Sequence, residues 1–150
     1  MKCLSVSQPF ADFIIKGTKS IELRPWNTKY RGEFLIHAPQ KVNKQACKRF
    51  AIDEDLKTGV IVGKAEIYDV KVYRSLEELK SDYEKHLASK EYLHHKFGFL
   101  LRNVQPLKIP IPYKGSLGFF EVKLHNTTSD NEIISELFDE EYRYQWVGKH

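Results

Sequence analysis

Residues 17–24 read Gly-Thr-Lys-Ser-Ile-Glu-Leu-Arg, which places an amine (Lys19), a carboxylate (Glu22) and a guanidinium (Arg24) within six residues. Trp26, Lys29, Tyr30 and Arg31 follow, so four cations, one carboxylate and two aromatic rings fall within 13 residues. That mixture suits a nucleotide: cations for phosphate, aromatic faces for stacking, and a carboxylate that accepts from a base amino group. It equally suits an exposed Glu22–Arg24 ion pair, which would contribute little by itself. Among the other reactive types, His94 and His95 would face apart in any regular element, and no second His/Cys cluster lies at zinc spacing, so no metal or other cofactor is expected. Cys3 and Cys47 read as reduced packing thiols. His37 closes an apolar strand and reads as a hydrogen-bonded, half-buried residue. Lys114-Gly115-Ser116 lacks the remainder of a phosphate loop and offers at most a cation at a rim. A Ser-His-Asp triad cannot be read from spacing, because such triads are spatial.

The elements that must position these groups follow from periodicity. Ser7 as N-cap, Phe10, Phe13 and Ile14 on one face, and Gly17 as a stop predict a short opening helix. Residues 20–26 and 33–38 read as strands joined by a polar loop, and are expected to pair with each other. In the first of these, alternation sends Ile21 and Leu23 to the core, with Glu22, Arg24 and Trp26 on the opposite face and Lys19 entering from the turn. A short helix over 43–50 precedes a long β-branched strand, 59–73, bent at Gly63 and expected to be central in a barrel. Ser75 and Glu78 form a capping box opening a helix to about Tyr92. Strands over 97–107 and 117–124 flank a proline-rich loop, 110–116. A second capping box, Ser129 and Glu132, opens a helix carrying Ile134, Phe138, Tyr142 and Trp146 at i, i+4 spacing. It is expected to pack on the body, or else to recruit a protein partner through residues 129–146.

Charge divides the chain at the same place. The 150 residues carry a net +4, but residues 126–150 hold six acids against two bases, which leaves 22 bases and 14 acids in the first 125. A +8 body is compatible with a polyanionic ligand, and a −4 tail could shield it. The longest apolar run, Phe97 to Leu101, is far short of the roughly 20 residues of a bilayer span. The N-terminus also lacks the apolar core of a signal peptide. A cytoplasmic protein is expected, or a nuclear one if the source is eukaryotic.

Several motifs carry a family resemblance in order along the chain. Ser5-Val6-Ser7-Gln8-Pro9-Phe10-Ala11, the G-x-K-x-x-E-x-R run from Gly17 to Arg24, Trp26-x-Thr28-x-Tyr30-Arg31-Gly32 and Leu35-Ile36-His37-Ala38 come first. Gly59-Val60-Ile61-Val62-Gly63, Phe97-Gly98-Phe99, Pro112-Tyr113-Lys114-Gly115 and Gly118-Phe119-Phe120 complete the set. Together these resemble the ASCH domain over roughly residues 1–125, with residues 126–150 as an acidic helical appendage. The resemblance implies an α+β, PUA-like small β-barrel with flanking helices, to which this chain adds a C-terminal helix. It also implies a cleft around Lys19, Glu22 and Arg24 that binds RNA, another nucleic acid or a modified nucleotide. In that setting Gln8, Trp26, Lys29, Tyr30, Arg31, His37 and Lys114 become further binding candidates. Phe10 stands where the family often has Trp. Some small ASCH-like proteins are amidohydrolases acting on N4-acetylcytidine, with a pattern resembling G-x-K-x-x-T-x-R. Here Lys19 and Arg24 match, but Glu22 replaces the threonine. An amidohydrolase or ribonuclease with Lys19 and Glu22 as catalytic groups is therefore the alternative, with Glu22 serving as base for a water. Its distant glutamate cannot be assigned among Glu77, Glu78, Glu84 and Glu91.

Overall fold

The computed structural model describes residues 1–123 and Phe138. Among the described residues six strands form one sheet in the order β2-β5-β4-β3-β1-β6: β1 (Lys2–Ser5), β2 (Ile21–Arg24), β3 (Gly32–Ala38), β4 (Val60–Val72), β5 (Phe97–Pro112) and β6 (Phe119–Glu121). The sheet curls into a half-barrel. Its two edge strands, β2 and β6, approach through aromatic rings: the Trp26 ring just after β2 lies 5.7 Å from that of Phe119 on β6, which also stacks on Phe99 at 6.3 Å. Helices α1 (Phe10–Ile15), α2 (Lys44–Arg49), α3 (Leu76–Ser81) and α4 (Tyr83–His86) lie around it.

As expected, β4 is central, pairing antiparallel with both β3 and β5. Gly63 sits at a register shift, and a Cβ there would come within 2.5 Å of the Gln105 carbonyl and of Ile15. The glycine lets β5 and α1 close on the strand from two sides.

Several expectations are corrected, and one strand was not foreseen. Residues 20–26 and 33–38 do not pair: β2 lies against the start of β5, while β3 lies between β1 and β4. The intervening loop folds on itself through Asn27 Oδ1, Thr28 Oγ1 and Arg31, and carries the chain across the half-barrel instead of reversing it. Residues 2–5 form a strand parallel to β3. Both Cys3 and Leu4 are fully buried, on opposite faces, so no alternation betrays the strand. The long helix after Ser75 breaks at Asp82, whose carboxylate accepts from Tyr73 Oη and Lys71, and stops at Leu87, which is left-handed (φ 58°). Finally, β5 runs through Pro106 and Pro110. The pairing with β2 covers only Phe97 to Leu100, so the two prolines remove no hydrogen bond to that strand. The Ser75 cap itself forms, its Oγ accepting from the Glu78 N–H. The first helix starts at Phe10 without a side-chain cap, the Ser7 carbonyl accepting from Phe10 and Ala11.

Apolar side chains fill both faces of the sheet. Leu4, Phe34, Ile36, Ala65 and Phe99 pack with α1 on the inner face. Cys3, Leu35, Ile61, Leu107 and Val122 occupy the other and receive the ring of Phe138, which is 1% exposed. Burial raises the Cys3 thiol to about 12, consistent with a packing role. The expected 129–146 helix otherwise lies outside the described residues.

Candidate functional site

β2 and the excursion between β4 and β5 build a cleft of about 410 Å³. The alternation expected in β2 holds: Ile21 and Leu23 pack with Tyr73 and Leu79, which turns Glu22 and Arg24 toward the cleft floor. Lys19 arrives from the turn after α1 and is 3% exposed. Its ammonium has three hydrogens and three partners: the Ile21 carbonyl (2.7 Å), the His86 carbonyl (2.5 Å) and Glu22 Oε1 (3.3 Å). Glu22 Oε2 accepts from Arg24 Nη2 (2.7 Å) and Nε (3.0 Å), and Nη2 also donates to the Ser5 carbonyl (2.7 Å). Only Nη1 of Arg24 has no partner among the described residues.

This arrangement is what buried charge demands. A carboxylate and two cations taken out of water hold together only when paired and hydrogen-bonded. Burial pushes the Lys19 amine below its ordinary range, with Glu22 pulling it back. Burial alone would raise Glu22, but Arg24 and Lys19 outweigh it and hold the carboxyl below the usual carboxylate range. Glu22 is thus an ionised strut between two cations.

The walls come from elements distant in sequence. Phe10 of α1 lies with its ring 5.5 Å from the Lys19 ammonium, and Asn43 opens α2. Opposite stand His86, Tyr92 and His95 from the β4–β5 excursion, and Trp26 closes one end. His86 is fully buried: Nε2 donates to the Leu79 carbonyl (2.7 Å) and Nδ1 accepts from the Ala88 N–H (2.9 Å), which fixes a neutral imidazole. Burial lowers its basicity. His95 is lowered as well, first by burial and then by neighbouring His94.

Of the residues singled out by sequence, Lys19, Glu22, Arg24 and Trp26 converge here. Gln8 lies buried beside the site, Oε1 accepting from Asp12 N and Nε2 donating to Asp12 Oδ1 and the Lys57 carbonyl, which braces α1. Lys29, Tyr30 and Arg31 do not line the cleft. Lys29 is exposed, the Tyr30 hydroxyl donates to the Glu33 carbonyl, and Arg31 donates to the Thr28 and Tyr30 carbonyls and lies 3.6 Å from Asp69. His37 and Lys114 line a second, adjacent cleft. Phe10, Asn43, His86, Tyr92 and His95 were not foreseen as site residues. Among the described residues no group of three His, Cys, Asp or Glu is placed to share an ion. No helix among the described residues is long and apolar enough to cross a membrane.

Among the described residues a curled six-stranded half-barrel with a few flanking helices is an α+β, PUA-like fold. The ASCH domain family model matches residues 4–108, and the chain belongs to that family. It is 29% identical over 127 residues to human activating signal cointegrator 1 and 28% identical to the mouse protein, each match covering 76% of this chain. The match takes in only 21% of those relatives' own length. Among solved structures, an ASCH protein from Zymomonas mobilis superimposes with a TM-score of 0.63 at 17% identity, covering 89% of this chain and 93% of that one. A serine-to-alanine mutant of the Zymomonas protein gives 0.64 at 18% identity, covering 91% and 94%. At that identity the likeness is one of fold.

Proposed function

We propose that the cleft binds one nucleobase or modified nucleotide, free or within RNA or another nucleic acid, with Arg24 as its principal polar contact. The observation that carries this reading is the distribution of donors: every Lys19 hydrogen has a partner, and Arg24, held by Glu22 and the Ser5 carbonyl, has no partner for Nη1 among the described residues in a cleft that Trp26 also lines. A volume of about 410 Å³ lies at the lower end of ordinary small-ligand sites, a size suited to a single nucleoside. Trp26, Tyr92 and His95 supply flat faces for stacking, and Ser7 and Asn43 supply polar edges. The +8 body favours an anionic backbone leading to the cleft.

The geometry supports binding over hydrolysis at this site. The two cations that hold the Glu22 carboxyl below the usual carboxylate range also make it a weak base for a water. Lys19 would have to surrender two backbone carbonyls to act as a nucleophile.

Fluorescence anisotropy with short single-stranded oligonucleotides, together with competition by N4-acetylcytidine and unmodified nucleosides, tests the reading. Binding that weakens as salt rises is expected, with a loss of about 1–3 kcal/mol in Arg24→Ala. No binding at low salt, or an unchanged affinity in folded Arg24→Ala, would overturn it.

A further inference from the structure

A second cleft, of about 780 Å³, adjoins the first, and Ser5 lines both. Its carbonyl faces the Arg24 site, whereas its hydroxyl lies 2.9 Å from His37 Nδ1. His37 Nε2 lies 2.7 Å from the Tyr113 carbonyl, which can only accept. Nε2 must therefore carry the ring hydrogen. In the neutral imidazole this leaves the Nδ1 lone pair facing Ser5 Oγ–H, so the serine proton points at a base.

The pair is built with the features of an activated nucleophile. His37 is 1% exposed, and its ring meets that of Phe120 edge-on at 6.1 Å. Ser5 is only partly buried and opens on the cleft. Gly115 covers the pair so closely that a Cβ would come within 2.6–2.7 Å of His37 Cε1, His37 Nδ1 and Ser5 Oγ. Lys114 brings a cation to the same cleft. A nucleophile within hydrogen-bond reach of a base, itself oriented by a third group, is the arrangement of serine acyl transfer, with a main-chain carbonyl here in the orienting place.

We infer that Ser5 and His37 form a serine-nucleophile site for carboxylic esters, separate from the Arg24 cleft. Ser5 Oγ attacks the ester carbonyl while its proton passes to His37 Nδ1. The alkoxide leaves with that proton, and the acyl group stays on Ser5. Water then attacks the acyl carbon, giving a proton to His37; the serine oxygen leaves with it, and the carboxylic acid is released. Lys114 favours esters that carry an anionic group.

Intact-mass and peptide mass spectrometry after exposure to a fluorophosphonate, and to p-nitrophenyl acetate as the ester probe, test this. One adduct on Ser5 is expected, absent in Ser5→Ala and formed about 100-fold more slowly in His37→Gln. The adduct is read by mass and oligonucleotide binding by anisotropy, so a failure of the nucleotide reading and a failure of this one are told apart. A folded wild-type protein with no adduct, an adduct elsewhere, or a Ser5 adduct whose rate is unchanged in a His37→Gln protein of native circular dichroism would overturn the inference. Should His37→Gln not fold, the rate in Gly115→Ala, which crowds the same pair, decides the matter: an unchanged rate counts against it.

Discussion

The two clefts meet at Ser5 and solve opposite problems. On the Arg24 side three formal charges lie under the surface, and both oxygens of Glu22 and every hydrogen of Lys19 are committed to a partner. On the His37 side nothing in the pair needs to be charged, and two neutral hydrogen bonds leave a basic nitrogen facing a hydroxyl. Buried charge has to be saturated and so becomes rigid, which suits recognition. A buried neutral pair keeps its proton mobile, which suits chemistry. Residue type alone suggests the reverse, since Lys and Glu are the more familiar catalytic groups.

The largest expected effect breaks the charged side. Glu22→Ala leaves Lys19 buried with two carbonyls and no counter-charge, and should cost about 3–5 kcal/mol, read as a lower urea midpoint with an unchanged slope. A loss below about 1 kcal/mol would mean that the triad is solvated. Crowding the neutral side comes next. Gly115→Ala should destabilise by about 1–3 kcal/mol, because the new methyl group meets His37 and Ser5 rather than open space. Oligonucleotide binding at the other cleft should survive it, and loss of that binding would show that the clefts are one unit.

The smallest effect lies in pH. His86 has a folded-state basicity below its ordinary 6.5, so the unfolded chain takes up that proton first and stability falls as pH drops through 6.5 toward the folded value. Glu22 is likewise depressed from 4.5, so its contribution is full above that pH and is lost as pH falls further. Urea unfolding from neutral pH down into the acid range should therefore lose stability in two steps. His86→Gln should shrink the upper step, to which His95 also contributes, and leave the lower one in place; a profile unchanged by it would separate His86 from the site's electrostatics.

Legibility varied by residue for physical reasons. The facing of Glu22 and Arg24 was readable because a strand alternates, and Ile21 and Leu23 marked the buried side. Ser75 was readable as a cap because its hydroxyl acts within one turn. Strand β1 was not, since Cys3 and Leu4 are buried on opposite faces and show no period. His86, Tyr92 and His95 were not readable as cleft walls, because a helix expected to run to Tyr92 stops at Leu87 once Asp82 is bound by Tyr73 and Lys71. Tyr30 and Arg31 were grouped with the motif by nearness in sequence, whereas their side chains are held by their own loop.

By itself, then, the sequence determined the family, the α+β character and the charged motif, because each is carried by local spacing and by the alternation of a strand. The tertiary structure alone decided that Lys19 is spent on backbone carbonyls, that Arg24 Nη1 has no partner among the described residues, and that Ser5 meets His37. Those relations join residues 19 with 86, 24 with 5, and 5 with 37. No local preference encodes contacts across such separations; they exist only once the sheet has curled and its strands have taken their register.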